Sequence, residues 1–221
     1  MNVLALEGAL GTFSIAVARD GSVVAEVVED GKRALENGLA AVAAAMGEAG
    51  IDRAGLDRLG VGCGPGSFTG LRIALSYAKA LALAWRLPLV TLTSYDLLRG
   101  DAEPPVLTVV RGRPGIVCAE FASRASSSTA CGDARSVLAK LLRDPTACTR
   151  AMTVTGNAED VRGALAERGI VVTEIAPPPV PASILALLSL RAQPLRSPHE
   201  ARPEYGELPA AKIPRSLLGG T

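Results

Sequence analysis

The sequence predicts an α/β fold built from two similar lobes, and three observations lead to this prediction. Of the 221 residues, 48% are hydrophobic, which is enough apolar mass for a sizeable buried core. Short apolar runs alternate with segments of helical periodicity, in a similar order in both halves of the chain. The pair Pro104-Pro105 separates the halves, because consecutive prolines continue neither a helix nor a central strand.

The first half predicts the order βββαβαβα. Asp20-Gly21 lies between two apolar runs and indicates a hairpin, because the tight turn needs positive φ. Gly50 is typical of a helix C-terminus, and Ser94 is a candidate N-cap for a short helix. Strands are expected at 3–6, 13–18, 23–28, 59–62 and 89–92, and helices at 34–49, 71–86 and 95–98.

The second half repeats this order, except that its third strand is unclear. Residues 123–129 are rich in serine and are expected to form a mobile loop. Strands are expected at 106–110, 116–121, 153–155 and 170–175, and helices at 134–143, 158–168 and 182–190. A repeated unit that begins with a hairpin predicts two ribonuclease-H-like lobes, 1–103 and 104–193, with the tail 194–221 packing back on the first lobe.

Charge and cysteine content exclude several classes of protein. Lys and Arg number 23 against 22 Asp and Glu, whereas a protein that grips a nucleic-acid backbone alone needs a basic excess. The four cysteines lack metal-site or disulfide-framework spacing, so reduced thiols are expected at Cys63, Cys118, Cys131 and Cys148. The chain carries no signal-peptide pattern and no apolar run of about 18 residues, so we expect a soluble, cytoplasmic protein without membrane contact.

The most informative segment is a glycine-rich loop between a buried strand and a helix. It reads Gly64-Pro65-Gly66-Ser67-Phe68-Thr69-Gly70, and Ser67 and Thr69 are both candidate caps for the helix. Backbone N–H groups at a helix N-terminus attract an anion or carboxylate, but a tight connection without any ligand fits the residues as well. A Walker loop is excluded, because no Lys-Ser/Thr pair follows Gly70.

This loop resembles the signature of the TsaB/YeaZ family, over Gly64, Pro65, Gly66, Ser67, Phe68, Thr69, Gly70 and Arg72. The resemblance implies the two-lobed fold of the actin/sugar-kinase/Hsp70 superfamily. It also implies a dimerisation subunit without catalytic residues, metal or cofactor, in the complex that forms threonylcarbamoyladenosine in tRNA. The implied partners are a TsaD-type catalytic subunit and a TsaE-type ATPase, with tRNA contacted indirectly through the complex and a homodimer possible.

The sequence departs from the family pattern at two turns. Glu7-Gly8-Ala9 stands where the family usually carries Asp-Thr-Ser, and Arg111 replaces an Asp that usually opens the second lobe. These changes remove polar groups that phosphate chemistry would use. They favour a divergent member of the family and do not affect the predicted fold.

Enzymatic alternatives find little support in the residues. The single histidine, His199, lies in a proline-rich tail, and neither a G-x-S-x-G nor an HExxH motif occurs. An ATP-dependent small-molecule kinase of the same fold remains an alternative, with Glu7 as its first acid. A homodimeric scaffold without a tRNA role is the other alternative.

Helical geometry predicts a partner surface on the first lobe. In the helix 34–49, Leu35, Leu39, Val42 and Met46 form one stripe, which is expected to face the core. The opposite face and the following helix carry few charges, and the family resemblance implies dimerisation through these helices. The predicted interface comprises Asn37, Ala40, Ala41, Ala44, Leu75 and Lys79; the alternative is that alanine is simply abundant here.

Overall fold

The structure is a computed structural model that describes residues 1–30, 33–143, 151–178 and 180–206. The strands are β1 (Asn2–Glu7), β2 (Phe13–Arg19), β3 (Ser22–Glu29), β4 (Arg58–Gly62), β5 (Leu89–Leu92), β6 (Val106–Arg111), β7 (Val117–Ala122), β8 (Ser127–Gly132), β9 (Ala151–Gly156) and β10 (Val171–Ile175). The helices are α1 (Ala34–Glu48), α2 (Phe68–Trp85), α3 (Ser94–Arg99), α4 (Ala134–Leu141), α5 (Glu159–Ala166) and α6 (Pro181–Ser189). Short 3-10 helices cover Arg53–Gly55 and Pro198–Glu200.

The ten strands form two five-stranded sheets of the same design. Their orders are β3-β2-β1-β4-β5 and β10-β9-β6-β7-β8. In each sheet an antiparallel meander of three strands is extended by two parallel strands on the side of its first strand. This duplication confirms the predicted α/β fold of two ribonuclease-H-like lobes.

The third strand of the second sheet corrects one sequence expectation. Residues 127–132 form β8, which pairs with β7 in antiparallel register, so the last three residues of the serine-rich stretch are strand and not mobile loop. Ser127, Ser128 and Thr129 are exposed because β8 is an edge strand. Within β8, only Ala130 is buried. The strand is therefore hard to recognise in the sequence, because its exposed edge residues are polar.

The predicted hairpin turn is confirmed, whereas the predicted cap of α3 is not. Asp20 and Gly21 both have positive φ (49° and 91°), as the predicted tight hairpin turn requires. The short helix α3, however, is capped by Thr93 and not by Ser94. Thr93 accepts from the backbone N–H of Asp96, whose carboxylate accepts from Thr93 N in return, so the two form a capping box.

Helix α1 buries a face that only partly matches the predicted stripe. Val42 is buried and Met46 packs against the core, but the prediction is wrong for Leu35 and Leu39. Leu35 and Leu39 are 68% and 53% exposed, whereas the buried residues are Ala34, Gly38, Ala41, Val42 and Ala45. The physical reason is that α1 approaches the Tyr77 and Phe13 rings closely at Gly38. A Cβ there would clash with the Tyr77 ring and touch that of Phe13. The small residues let α1 lie near the sheet and α2, and the leucines are left outside.

The chain after the second sheet returns to the first one. Helix α6 packs on β1 and β2, where Ala182, Leu185 and Ala186 meet three small strand residues, Ala5, Ala16 and Ala18. The sequence assigns this helix to the second lobe, 104–193, whereas its contacts are with strands of the first sheet; the lobe limits stay a prediction. Further along, Leu195 N donates to Leu89 O (2.8 Å), and Ala201 is buried in the first-lobe core.

Among the described residues, no helix has both the length and the apolar character that a membrane span needs.

Candidate functional site

The signature loop joins β4 to α2 and lies against the turn after β1. Ser67 N donates to Ala9 O (2.7 Å), and Ser67 Oγ accepts from Gly70 N (3.4 Å) as the N-cap of α2. Gly66 has φ of +152°, and a Cβ there would clash with the Ala9 carbonyl. The loop needs glycine because two backbone segments touch, and Ser67 performs the predicted capping.

The loop also forms one wall of a cleft of about 770 Å³ between the lobes, a size typical of small-molecule sites. The first lobe and the tail contribute Ala9, Leu10, Gly11, Pro65, Gly66, Ser67, Phe68, Tyr205 and Gly206, and the second lobe contributes Val110, Arg111, Gly112, Arg113, Cys118 and Asn157. The described lining residues include two arginines and no Asp or Glu. The cleft therefore offers no carboxylate of its own to a divalent cation.

Arg111 is engaged in ion pairs. Its guanidinium contacts Asp160 (2.8 Å) and Glu159 (2.5 Å) in the first turn of α5. Its backbone N–H donates to Asn157 Oδ1 (3.0 Å). Arg111 thus ties β6 to α5, and its charge is matched by two carboxylates.

Glu7 lies under the cleft and is fully buried. Its Oε1 accepts from Ala9 N (2.6 Å) and its Oε2 from Leu10 N (3.2 Å), so the carboxylate holds the turn that lines the cleft. Burial raises the pKa of Glu7 to about 7, although these backbone hydrogen bonds act to lower it. Both carboxylate oxygens are occupied by backbone donors.

Two of the four cysteines are joined, so the prediction of reduced thiols is wrong for them. Cys118 and Cys131 face each other across β7 and β8 and form a disulfide. Their separation of 13 residues gave no signal, because pairing depends on the register of a third strand that the sequence left unclear. Cys63 is a free, buried thiol whose pKa is raised to about 12 by desolvation. Cys148 lies outside the described residues.

An arginine and two aromatic rings form a cluster at the rim of the cleft. This cluster was not predicted from the sequence. Arg72 stacks over Phe68 (3.8 Å to the ring centroid), and its Nε donates to Tyr205 Oη (2.8 Å). The Phe68 and Tyr205 rings lie 5.2 Å apart. Phe68 and Arg72 are one helical turn apart, so two of the three residues are neighbours in the sequence, whereas Tyr205 comes from the tail.

The predicted interface residues are not all at the surface. Ala40 and Ala44 are exposed, and Asn37 is half-buried, with its Nδ2 donating to Glu29 (3.3 Å). Lys79 is also half-buried and donates to Ala201 O (3.3 Å). Ala41 and Leu75 lie in the core, at 3% and 5% exposure, and do not reach the outer face.

His199 lies in the short 3-10 helix at 198–200, where its backbone N–H donates to Ser197 Oγ (3.3 Å). Over the described parts of the chain, no group of three His, Cys, Asp or Glu residues could hold a metal ion. The structure therefore offers no described partners for His199 in metal chemistry.

Comparison of the fold identifies close structural neighbours. The YeaZ protein of Pseudomonas aeruginosa has a TM-score of 0.71 and 21% identity, covering 92% of this chain and 99% of that one. A second P. aeruginosa structure, described as similar to peptidase YeaZ, gives 0.72 at 21% identity, covering 93% of this chain and 99% of that chain. At this level of identity the match establishes the fold.

Sequence comparison identifies the family. The Escherichia coli tRNA threonylcarbamoyladenosine biosynthesis protein TsaB is 32% identical over 122 residues, or 53% of each chain. An uncharacterised Mycobacterium tuberculosis protein is 32% identical over 114 residues, 50% of this chain and 54% of that one. The chain thus spans about half the length of the curated relatives that it matches. A family model described as TsaD, tRNA N6-adenosine threonylcarbamoyltransferase, matches residues 17–162. The chain therefore belongs to the TsaD family, and its relatives within that family are the TsaB/YeaZ proteins.

Proposed function

We propose that this chain is a non-catalytic subunit of the machinery that forms threonylcarbamoyladenosine in tRNA, and that it pairs with and activates a TsaD-type catalytic subunit. In this role a TsaE-type ATPase acts on the same complex, and tRNA is contacted through the assembly. The named relatives in E. coli and Bacillus subtilis are tRNA threonylcarbamoyladenosine biosynthesis proteins, which supports this assignment.

The observation that carries the pairing is the apolar outer face of α1 and α2. Leu35, Leu39 and Leu83 are 68%, 53% and 45% exposed. The exposed residues around them on these two helices include several alanines, namely Ala40, Ala43, Ala44, Ala80 and Ala84. A helix face that meets water normally carries charge, whereas small and apolar side chains allow another pair of helices to pack closely.

The proposed absence of catalysis rests on the groups around the cleft. Both oxygens of Glu7 already accept backbone N–H bonds, and Arg111 is paired with two carboxylates. A kinase of this fold needs free acids from both lobes to hold Mg²⁺. The described cleft residues supply none, which favours the subunit role over the kinase alternative.

Co-expression with the TsaD-type subunit of the same organism tests the pairing. Ala44→Arg puts a charge in the outer face of α1, and we expect loss of the heterodimer in light scattering together with loss of threonylcarbamoyl transfer in the reconstituted system. Ala139→Arg, at an exposed position of α4 in the other lobe, is the matched control and should leave both intact.

The result that contradicts the proposal is an Ala44→Arg variant that still forms the wild-type heterodimer at micromolar concentration. A wild-type chain that forms only a homodimer, with no effect on the activity of the TsaD-type subunit, supports the homodimeric scaffold instead. A melting curve for each variant separates lost pairing from lost folding.

A further inference from the structure

The last described residues, 201–206, form an extended strap across the signature loop. Lys79 Nζ donates to Ala201 O (3.3 Å), and Glu204 N donates to Cys63 O (2.7 Å) at the end of β4. Tyr205 is held by Arg72 at the rim of the cleft. The strap is thus anchored to the first lobe by these hydrogen bonds, and Ala201 at its start is buried in the first-lobe core.

The strap ends directly on the disulfide of the second lobe. A Cβ on Gly206 would clash with Cys118 Sγ, would lie 2.6 Å from Cys131 Sγ and would lie 3.2 Å from Pro65 Cβ. Gly206 therefore occupies a slot between the two sulfur atoms and the signature loop that admits only glycine. This contact connects the two lobes across the cleft, because Pro65 belongs to the first lobe and the cysteines to the second.

We propose that the Cys118–Cys131 pair is a thiol–disulfide exchange site, and that its oxidation state controls whether the strap stays docked. The co-reactant is a dithiol reductant. One thiolate of the reductant attacks Cys131 Sγ, the half-buried sulfur, and the bond to Cys118 breaks. Cys118 leaves as a thiolate and takes a proton from water. The second thiol of the reductant then attacks its own first sulfur in the mixed disulfide and gives up its proton. Cys131 leaves and takes up a proton as a thiol, and the two sulfurs of the reductant are joined in a new disulfide.

Reduction changes the floor of the Gly206 slot. Two S–H groups need separate volumes where one bonded pair stood, and the slot has no spare room for even a methyl group. The strap must then move away from the second lobe. Since Tyr205 and Gly206 line the cleft, its release opens the cleft on that side.

The coupling works in both directions, as a linkage between two equilibria must. A docked Gly206 covers the sulfur atoms and hinders attack by the reductant. Any change that releases the strap should therefore speed reduction. This reciprocal effect distinguishes a regulatory pair from a disulfide that only joins the edge strand β8 to its neighbour β7.

The first experiment measures reduction of the full chain by dithiothreitol. Samples are quenched, denatured and treated with a maleimide, and mass spectrometry follows the gain of two labelled thiols per chain. Gly206→Ala forces a Cβ into the slot and should raise the reduction rate about tenfold or more. Gly163→Ala is the matched control, because an added Cβ there meets nothing within 4 Å. Equal rates for Gly206→Ala and wild type overturn the proposal.

The second experiment compares hydrogen exchange in the oxidised and reduced chains. The Glu204 amide, which donates to Cys63 O, should exchange about tenfold or more faster after reduction. The Leu107 amide in β6, at the centre of the second sheet, should be unchanged, and Cys131→Ser should behave as the reduced form. Equal Glu204 exchange in both states contradicts the proposal. So does a loss of protection at Leu107, since the disulfide would then hold the whole sheet together.

Discussion

Gly8 and Gly70 pack backbone against backbone, and each faces the carbonyl of the other. A Cβ on Gly70 would clash with the Gly8 oxygen, and a Cβ on Gly8 would clash with the Gly70 oxygen. This contact, together with the Ser67 N to Ala9 O bond, fixes the signature loop to the first turn of the fold. Unlike a flexible side chain, neither carbonyl can rotate away.

Valine at Gly66 or Gly70 should therefore destabilise the protein by about 1–3 kcal/mol or more. Gly66 combines positive φ with a clash at the Ala9 carbonyl, and Gly70 has the clash with Gly8. Chemical denaturation of each variant measures the loss. Gly47→Ala in α1 is the control, because nothing lies within 4 Å of its added Cβ, and it should be neutral or slightly stabilising. An unchanged midpoint for both valine variants would refute the close-approach argument.

Glu7 should make stability depend on pH. Its pKa is about 7 in the folded protein against an ordinary value of 4.5, so between these values the folded state keeps a proton that the unfolded chain has lost. The free energy of unfolding should then fall by roughly 3 kcal/mol as pH rises through this window, and level off above it. Denaturation at pH 5 and pH 8 measures the change.

Glu7→Gln isolates this contribution. The amide oxygen still accepts from Ala9 N, and no proton is exchanged, so the difference in unfolding free energy between wild type and variant should shift by roughly 3 kcal/mol between the two pH values. Glu48→Gln, at an exposed position of α1, should run parallel to wild type. Parallel curves for Glu7→Gln would mean that Glu7 stays ionised in the folded state.

Two neighbouring alanines of α1 should respond differently to the same substitution. Ala41→Arg forces a charged side chain into the core and should lower the melting temperature strongly, because Ala41 is 3% exposed. Ala44→Arg should leave the melting temperature within a few degrees of wild type, because Ala44 lies outside. Thermal unfolding of the isolated chain measures both, and an equal loss for the two would place the helix in another orientation.

The isolated chain should neither hydrolyse ATP nor hold a stoichiometric transition metal. The reason is that both oxygens of Glu7 already accept backbone N–H bonds and the described cleft residues contribute no Asp or Glu. Phosphate release is compared with that of purified Glu7→Ala, and metal content is measured after dialysis. Turnover above that variant, or one tightly bound metal per chain, would revive the kinase alternative.

The sequence by itself determined the features that depend on neighbours along the chain. The positive φ of Asp20 and Gly21, the order of nearly all strands and helices, and the cap of α2 by Ser67 follow from local turn and capping chemistry. The signature loop was also visible, because its glycines recur within seven residues. Local sterics leave few conformations to such segments.

Only the tertiary structure decided which surfaces meet. Leu35 and Leu39 read as core residues, yet Gly38 brings α1 so close to Tyr77 that the small face is buried instead. The disulfide depends on the register of β7 and β8, and the link between Arg72 and Tyr205 joins positions 133 residues apart. Such contacts carry no periodic signal, because they arise from how close two elements can approach after the chain has folded.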